Sequence, residues 1–205
     1  MDKVRITSAS VETAAINLVA DYLKKGKIVA LPTDTIYGFS CLADNVRAIK
    51  KIRRLKRRDQ RDIQKPLLIL VSGLAMLKKY ALVPKRQTAL LKQIWSKNTR
   101  PTTVILRSRG RLPQELTGAA DGLAVRLPKS EFLIRILKKV RKPLASTSLN
   151  ISGRKSLNDL RRLSRYWPLP SLQPDLVIDA GYRRQQQASR LLDLRPVGKP
   201  IILRK

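Results

Sequence analysis

Short apolar runs alternate with segments of helical periodicity through the first half of this chain, and few folds accommodate such a pattern. Runs of up to six residues, such as those at 27–31 and 66–71, are typical of buried strands. Apolar residues at helical spacing follow Ser10 and Asp44, which can cap helices there. The second half contains mostly strands. The pattern therefore predicts an α/β domain with a twisted, mixed β-sheet and flanking helices.

The predicted elements cover most of the chain. Strands are predicted at 27–31, 67–71, 103–107, 123–127, 143–146, 176–179, 190–194 and 201–204. Helices are predicted from Ser10 to Gly26, from Asp44 to the basic cluster at 56–58, after Ser72, and at 84–95, 131–140 and 158–164. A turn-rich loop is predicted at 32–40.

At 205 residues the chain fits a single domain that covers residues 1–205. Its longest apolar runs are too short to span a bilayer. The start of the chain, Met1 to Val4, lacks the basic and apolar regions of a signal peptide. We therefore expect a cytoplasmic protein that does not enter a membrane.

The chain contains one cysteine, Cys41, and no histidine. It therefore has no internal disulfide and no multi-cysteine metal cluster, and it lacks the residue that most often acts as a general base or a zinc ligand. Any catalysis must proceed without imidazole. This composition favours reactions at phosphates, where positioning and charge stabilisation lower the barrier, over hydrolysis by a catalytic triad.

Basic residues greatly outnumber acidic ones, with 44 Lys and Arg against 14 Asp and Glu and a formal net charge of +30. Such a charge creates a field that attracts polyanions. The other interpretation is a solvated basic surface without a specific partner. The charge therefore indicates the class of partner, an anion, but not its identity.

Four separated segments supply side chains suited to holding a nucleotide, although neither the P-loop nor the Rossmann glycine motif is present. They are Pro32 to Gly38, Lys56 to Arg58 with Lys65 to Leu67, Leu123 to Pro128, and Ser146 to Gly153. In this order and at these separations they resemble the YrdC family of threonylcarbamoyladenylate synthases. The resemblance spans about residues 10–204. It implies a YrdC-like domain with a concave, basic active-site face.

The resemblance implies a nucleotide site with two dyads, Lys56 with Arg58 and Ser148 with Asn150, in which the basic pair is catalytic. Residues two apart share a side only in extended backbone, so we expect the chain to be extended after the second helix ends. We also expect Lys56, at a polar helix end, to tolerate replacement by alanine without loss of folding. Further candidates on the nucleotide side are Thr117 and Ser146.

Each dyad also has a simpler interpretation. The basic dyad is also what a helix end stabilised by its dipole would contain. The Ser/Asn dyad is equally typical of a turn.

The resemblance also implies a threonine site, shaped by Thr33, Thr35 and Tyr37. Arg126 is the candidate partner of the threonine carboxylate, because a guanidinium can bind a carboxylate with two hydrogen bonds. The alternative for Arg126 is an ordinary surface arginine at a strand end. Ser189 is retained from the family's Pro-Ser-Thr run, in which the threonine is replaced here by Arg190.

The activity implied by the resemblance is the synthesis of L-threonylcarbamoyladenylate from ATP, bicarbonate and L-threonine. Mg²⁺ would bind with ATP and not at a dedicated protein site. The product would pass to a separate threonylcarbamoyl transferase machinery, which modifies adenosine beside the anticodon of tRNA.

Two other functions remain open. The first is a non-catalytic protein that binds double-stranded RNA, tRNA or the ribosome, as the net charge of +30 suggests. Aromatic residues make up only 4% of the chain, which disfavours reading single strands by stacking. The second is a paralogue that forms another acyl or carbamoyl adenylate. Asn150 argues against the paralogues in which that position is apolar.

Overall fold

The computed structural model describes residues 1–57, 66–118, 121–183, 187–196 and 199–205. Across these residues ten strands form one sheet, in the order β1-β8-β2-β3-β7-β4-β6-β5-β9-β10. The strands are β1 Asp2–Arg5, β2 Val29–Leu31, β3 Gly38–Leu42, β4 Leu68–Leu70, β5 Thr102–Arg107, β6 Gly122–Arg126, β7 Leu144–Ser148, β8 Leu176–Asp179, β9 Arg190–Asp193 and β10 Ile201–Arg204.

Seven α-helices connect or flank these strands in the described ranges. They are α1 Ala9–Lys24, α2 Val46–Leu55, α3 Leu74–Tyr80, α4 Lys85–Ile94, α5 Gln114–Thr117, α6 Glu131–Val140 and α7 Leu163–Tyr166. Short 3-10 turns lie at Leu160–Arg162 and Pro170–Leu172. No helix in this part of the chain is long and apolar enough to cross a membrane.

The sheet is mixed, as the sequence predicts. Four neighbouring pairs are parallel: β1 with β8, β2 with β8, β4 with β6, and β5 with β9. The other five are antiparallel: β2 with β3, β3 with β7, β4 with β7, β5 with β6, and β9 with β10. The predicted α/β architecture with a mixed sheet and flanking helices is therefore confirmed.

Apolar side chains cover the two faces of the sheet in different ways. On one face, α2, α3, α4 and the buried Trp167 form a broad core with alternate strand residues such as Phe39, Ala145 and Val125. On the other face, α1 and α6 pack against Leu42, Leu70 and Leu144. Each such buried leucine stabilises the fold by roughly 2 to 5 kcal/mol relative to alanine.

Two strands escaped prediction. β1 is short and largely exposed, so it shows no buried apolar run. β3 begins inside the segment predicted as a loop at 32–40, which is wrong for residues 38–40. The strand was not predicted because it begins with Gly38, and glycine is a weak strand former. In the structure a Cβ at Gly38 would lie 2.9 Å from the carbonyl oxygen of Thr147. The close pairing of β3 with β7 therefore depends on that glycine.

Helix starts differ from prediction by one or two residues. Ser8, not Ser10, caps α1, because its hydroxyl accepts the Val11 N–H at 3.3 Å. Asn45 caps α2 through the Ala48 N–H at 2.9 Å. Asp44, the predicted cap, forms an ion pair with Lys142 instead. Side-chain oxygens at neighbouring positions compete for the same helix N–H groups, and only the folded backbone decides between them.

Candidate active site

A cleft of about 580 Å³ opens on the sheet face that α1 and α6 cover only in part. β7 illustrates the change along one strand: Leu144 lies under the two helices, whereas Ser146 and Ser148, on the same side of the strand, line the cleft. Small polar residues thus replace apolar ones where the helices end. The cleft extends across β3, β7, β4, β6, β5, β9 and β10.

Arg126, at the end of β6, is buried at 5% exposure and lines this cleft. Its Nη2 lies 3.2 Å from a carboxylate oxygen of Asp34, and its Nη1 donates to Thr35 Oγ1 at 3.2 Å. Burial lowers the pKa of Arg126, while Asp34 opposes that effect. A guanidinium nevertheless stays protonated in proteins. Its Nε has no hydrogen-bond acceptor among the described residues.

This arrangement excludes the interpretation of Arg126 as a surface arginine. A buried guanidinium held on one side by Asp34 is fixed in direction. Because Arg126 also lines the cleft, its guanidinium can bind a carboxylate there.

The loop before β3 is held by its own side chains. Thr33 Oγ1 accepts the N–H groups of Thr35 and Ile36 at 3.1 and 3.2 Å and donates to the Ile36 carbonyl at 2.6 Å. Thr33 and Thr35 hydroxyls lie 3.0 Å apart, and both residues are buried. This local turn presents two hydroxyls beside Arg126 in the wall of the cleft.

Tyr37 also lines the cleft, but its hydroxyl is used within the protein. It donates to the Gly181 carbonyl at 2.7 Å and accepts the Ala180 N–H at 2.9 Å. Burial raises the pKa of Tyr37. The ring can therefore shape the cleft, while the hydroxyl joins the loop before β3 to the chain after β8.

Lys56, Ser148 and Asn150 meet directly, although 92 residues separate the first two. The Lys56 ammonium donates to the Ser148 carbonyl at 3.0 Å, to the Ser148 hydroxyl at 3.2 Å and to the Asn150 side-chain oxygen. Ser148 Oγ donates to that same amide oxygen at 2.6 Å. These three residues form the lysine cluster. Ser148 lines the cleft, whereas Lys56 and Asn150 lie behind it.

Two expectations about Lys56 need correction. The residue is buried at 2% exposure and is not at a solvated helix end, so alanine there would disturb folding. Its backbone is helical, and Arg57 follows with a left-handed φ of 49°, so the chain is not extended at Lys56 and Arg57. Arg58 lies outside the described residues, and its predicted role stays a prediction.

The other nucleotide candidates differ in position. Ser146 is buried, lines the cleft and accepts a hydrogen bond from Ser40 Oγ at 3.3 Å. Thr117 is buried outside the cleft lining, with its hydroxyl 3.3 Å from the Gly118 carbonyl and 3.5 Å from that of Pro113. The structure therefore brings Ser146, but not Thr117, to the cleft.

Ser189 lies in the cleft wall with two residues that the motifs did not indicate. Its hydroxyl is 2.8 Å from that of Thr103 on β5, and its carbonyl accepts Arg204 Nε at 2.9 Å. Thr103 and Arg204 both line the cleft. Both lie in correctly predicted strands, but only the pairing of β5, β9 and β10 brings them to Ser189. Asp34, the partner of Arg126, was also missed.

The charges around the cleft suit an anionic ligand. Arg126 and Arg204 line it directly, and the Lys56 ammonium lies behind Ser148. Among the described residues no group of three or more His, Cys, Asp or Glu side chains could hold a metal ion.

Residues 21–205 match the Sua5/YciO/YrdC family model, described as telomere recombination. Threonylcarbamoyl-AMP synthase of Pyrococcus abyssi is 29% identical over 197 residues, covering 95% of this chain and 54% of that protein. Human threonylcarbamoyl-AMP synthase is 30% identical over 198 residues, covering 94% of this chain and 67% of that protein. The crystal structure of P. abyssi Sua5 complexed with L-threonine has a TM-score of 0.82 at 27% identity, covering 99% of this chain and 56% of that one. This chain thus spans about half the length of the Pyrococcus relative.

Proposed function

Because this chain belongs to the Sua5/YciO/YrdC family, we propose that it is an L-threonylcarbamoyladenylate synthase. It would convert L-threonine, bicarbonate or CO₂, and ATP into threonylcarbamoyl-AMP and pyrophosphate. The observation that supports this function best is one cleft with a buried guanidinium, Arg126, in one part of its wall and, at another, Ser148, behind which the Lys56 ammonium lies. A carboxylate and a phosphate chain need such separate cationic groups.

Threonine would bind beside Arg126. Its carboxylate would accept hydrogen bonds from the guanidinium, which lines the cleft. The Thr35 hydroxyl accepts a hydrogen bond from that guanidinium, and the turn around Thr33 holds it there. These two threonines would shape the pocket for the substrate's ammonium and hydroxyl groups. Ser189, held by Thr103, would complete the threonine side.

ATP would bind towards β7, where Ser146 and Ser148 line the cleft. The Lys56 ammonium has three N–H groups, and Ser148 and Asn150 supply an acceptor for each. Lys56 would therefore act through its charge, or exchange one protein acceptor for a phosphate oxygen. Arg58 is assigned to the same phosphates by its place in the family motif.

The reaction needs no side-chain nucleophile. The threonine amine would add to CO₂, or to bicarbonate with loss of water, to give an N-carboxylate. An oxygen of that carboxylate would attack the α-phosphorus of ATP, and the bond to pyrophosphate would break. Holding the carbamate next to the α-phosphate supplies roughly 7 to 11 kcal/mol through proximity. Lys56 and Arg58 would stabilise the charge that moves to pyrophosphate.

Mg²⁺ would enter as part of the substrate, MgATP. The ion would neutralise charge on the phosphates.

The product, a mixed anhydride of a carbamate and a phosphate, is labile in water. We propose that a threonylcarbamoyl transferase machinery consumes it to form threonylcarbamoyladenosine beside the anticodon of tRNA. Direct contact with tRNA would draw on the net charge of +30. A purely RNA-binding function would not use the buried Arg126 and Lys56 for ligand binding, because phosphate backbones are bound at exposed surfaces.

The test is pyrophosphate release from ATP by the purified chain, with threonine and bicarbonate omitted in turn. We expect release that requires both, together with an adenylate whose mass contains threonine and one added carboxyl carbon. Release that ignores threonine, or no release from a folded protein that binds RNA, would overturn the proposal in favour of another adenylate chemistry or an RNA-binding function.

A further inference from the structure

Trp167, directly after α7, is among the largest fully buried side chains, with 1% exposure. Its indole Nε1 donates a hydrogen bond of 2.7 Å to the carbonyl oxygen of Leu55, 112 residues away. Leu55 is the last residue of α2 and directly precedes Lys56. The indole therefore contacts the peptide unit from which the lysine cluster begins.

The Leu55 carbonyl has no partner within its own helix, because the last four carbonyl groups of any helix lack one. The neighbouring carbonyls of Ile52 and Arg54 accept the N–H groups of Lys56 and Arg57, at 3.0 and 2.8 Å. The Lys56 carbonyl accepts the Ser152 N–H at 2.9 Å. The indole thus provides the donor that the buried Leu55 carbonyl requires.

The indole is fixed from its other sides as well. Phe39 on β3 contacts it edge-on, with ring centroids 5.2 Å apart and planes at 81°. Phe39 directly follows Gly38, which lines the cleft. The ring centroid of Tyr166 lies 5.8 Å from that of the indole. The indole therefore joins the end of α2 to the strand behind the cleft wall.

We propose that Trp167 is a positioning residue that holds the Leu55–Lys56 peptide unit and so directs the Lys56 ammonium to Ser148 and Asn150. The carbonyl end of that peptide unit is held by the indole, and its N–H end by Ile52. Arg57 adopts a left-handed backbone immediately afterwards, and α2 has ended at Leu55. Without the indole N–H, this peptide unit keeps only the hydrogen bond from its N–H to Ile52, and the direction of the Lys56 side chain is less strictly fixed.

The placement of Lys56 is independent of the enzymatic function, whereas its effect on ATP rests on the function proposed above. One measurement tests the placement of Lys56, and a second tests its effect on ATP. The first is the ammonium ¹H–¹⁵N resonance of Lys56, assigned by its disappearance in Lys56→Arg. A buried ammonium with three acceptors exchanges its protons slowly, so this resonance is expected in the natural protein.

Trp167→Phe deletes the indole N–H and keeps an aromatic ring against Phe39. We expect the Lys56 ammonium protons to exchange at least about tenfold faster, the scale of one lost hydrogen bond. Val19→Ala is the control, because it removes buried atoms in the α1 layer, away from Trp167. It should lower stability and leave the resonance unchanged. An unchanged resonance in folded Trp167→Phe overturns the proposal.

The second measurement is steady-state kinetics of pyrophosphate release. Trp167→Phe should raise the KM for ATP by about tenfold and leave the KM for threonine within about twofold. A merely structural role would lower the amount of folded enzyme, and so kcat, with both KM values unchanged, which also overturns the proposal. A fast-exchanging ammonium in a protein without synthase activity would support the positioning role and refute only the proposed function.

Discussion

The Lys56 ammonium donates a hydrogen bond of 3.0 Å to the Ser148 carbonyl oxygen, and this bond joins the end of α2 to the end of β7. Lys56 is 2% exposed, so its charge lies inside the protein and not on the basic surface. This contact brings together the basic motif at Lys56 and the Ser/Asn motif at Ser148 and Asn150, which are distant in sequence, to form the lysine cluster. A buried ammonium is stable only with such a full set of oxygen acceptors.

Lys56→Met should remove ATP binding and also destabilise the fold. The substitution removes the hydrogen bonds from the charged ammonium to the Ser148 carbonyl and the Asn150 amide oxygen, which keep the Asn150 N–H and the Ser148 hydroxyl as donors. We expect the loss of these charge-assisted bonds to cost about 1 to 3 kcal/mol. Denaturant unfolding and calorimetric titration with a non-hydrolysable ATP analogue measure the two effects. Lys50→Met is the control, since its ion pair with Glu115 is at the surface and contributes about 1 kcal/mol or less. Unaltered ATP affinity in Lys56→Met would contradict the assignment.

Arg126→Lys should weaken threonine binding while keeping the positive charge. Lysine cannot reach Asp34, Thr35 and a substrate carboxylate at once, because it lacks the planar set of donors. We expect the KM for threonine to rise by about tenfold or more, the result of losing one charge-assisted hydrogen bond. Arg135→Lys, on the exposed side of α6, should behave like the natural protein. A rise confined to the KM for ATP would place threonine elsewhere.

Thr103→Val should affect threonine use through Ser189. Valine has nearly the same shape but cannot form the 2.8 Å hydrogen bond that holds the Ser189 hydroxyl in the cleft wall. The loss of one neutral hydrogen bond should raise the KM for threonine by about threefold to tenfold. Thr88→Val removes a hydroxyl that donates to the carbonyl of Pro84, the cap of α4, and it serves as the matched control. Equal behaviour of the two variants would argue against a role for Ser189.

The ion pair of Asp159 and Arg161 should make stability depend on pH. Hydrogen bonds from the Arg161 side chain and N–H lower the pKa of Asp159 from 3.8 to about 2. A depressed carboxyl pKa stabilises the fold above the unfolded value, and this contribution is lost as the pH falls from 3.8 towards 2. The Tm of the natural protein should thus exceed that of Asp159→Asn at neutral pH and converge with it in acid. A Tm difference that stays constant with pH would show that the charge is not the cause.

Local pattern predicted much of the fold. α6 and β8 follow the predicted bounds, because a clear apolar stripe and a short apolar run leave one sensible assignment. β3 was lost because its glycine and serine are weak strand formers, and its stability comes from pairing with β2 and β7. Strand propensity depends only on residues that are close in sequence, whereas strands are stabilised by pairing with segments that are distant in sequence.

The residues of the candidate site also fall into those that the sequence indicated and those that only the structure revealed. The resemblance to the family's motifs indicated Ser146, Ser148, Asn150 and Arg126 as site residues, and they lie towards strand ends, where α/β sheets bind ligands. It also placed Lys56 at the end of a helix, but on an exposed and extended backbone, which the structure does not have. Asp34, Thr103 and Arg204 had no signal of their own, because each acts through a partner far away in sequence.

The sequence by itself determined the α/β class, most helices and strands, and which residue types are available for a phosphate and a carboxylate. These properties follow from hydrophobic periodicity, helix caps and the chemistry of single side chains, all of which act over a few residues. The tertiary structure decided that Lys56 is buried against Ser148 and that α1 and α6 leave part of one sheet face open. Such outcomes depend on which distant strands pair and how far a helix extends over them, and no local pattern contains that information.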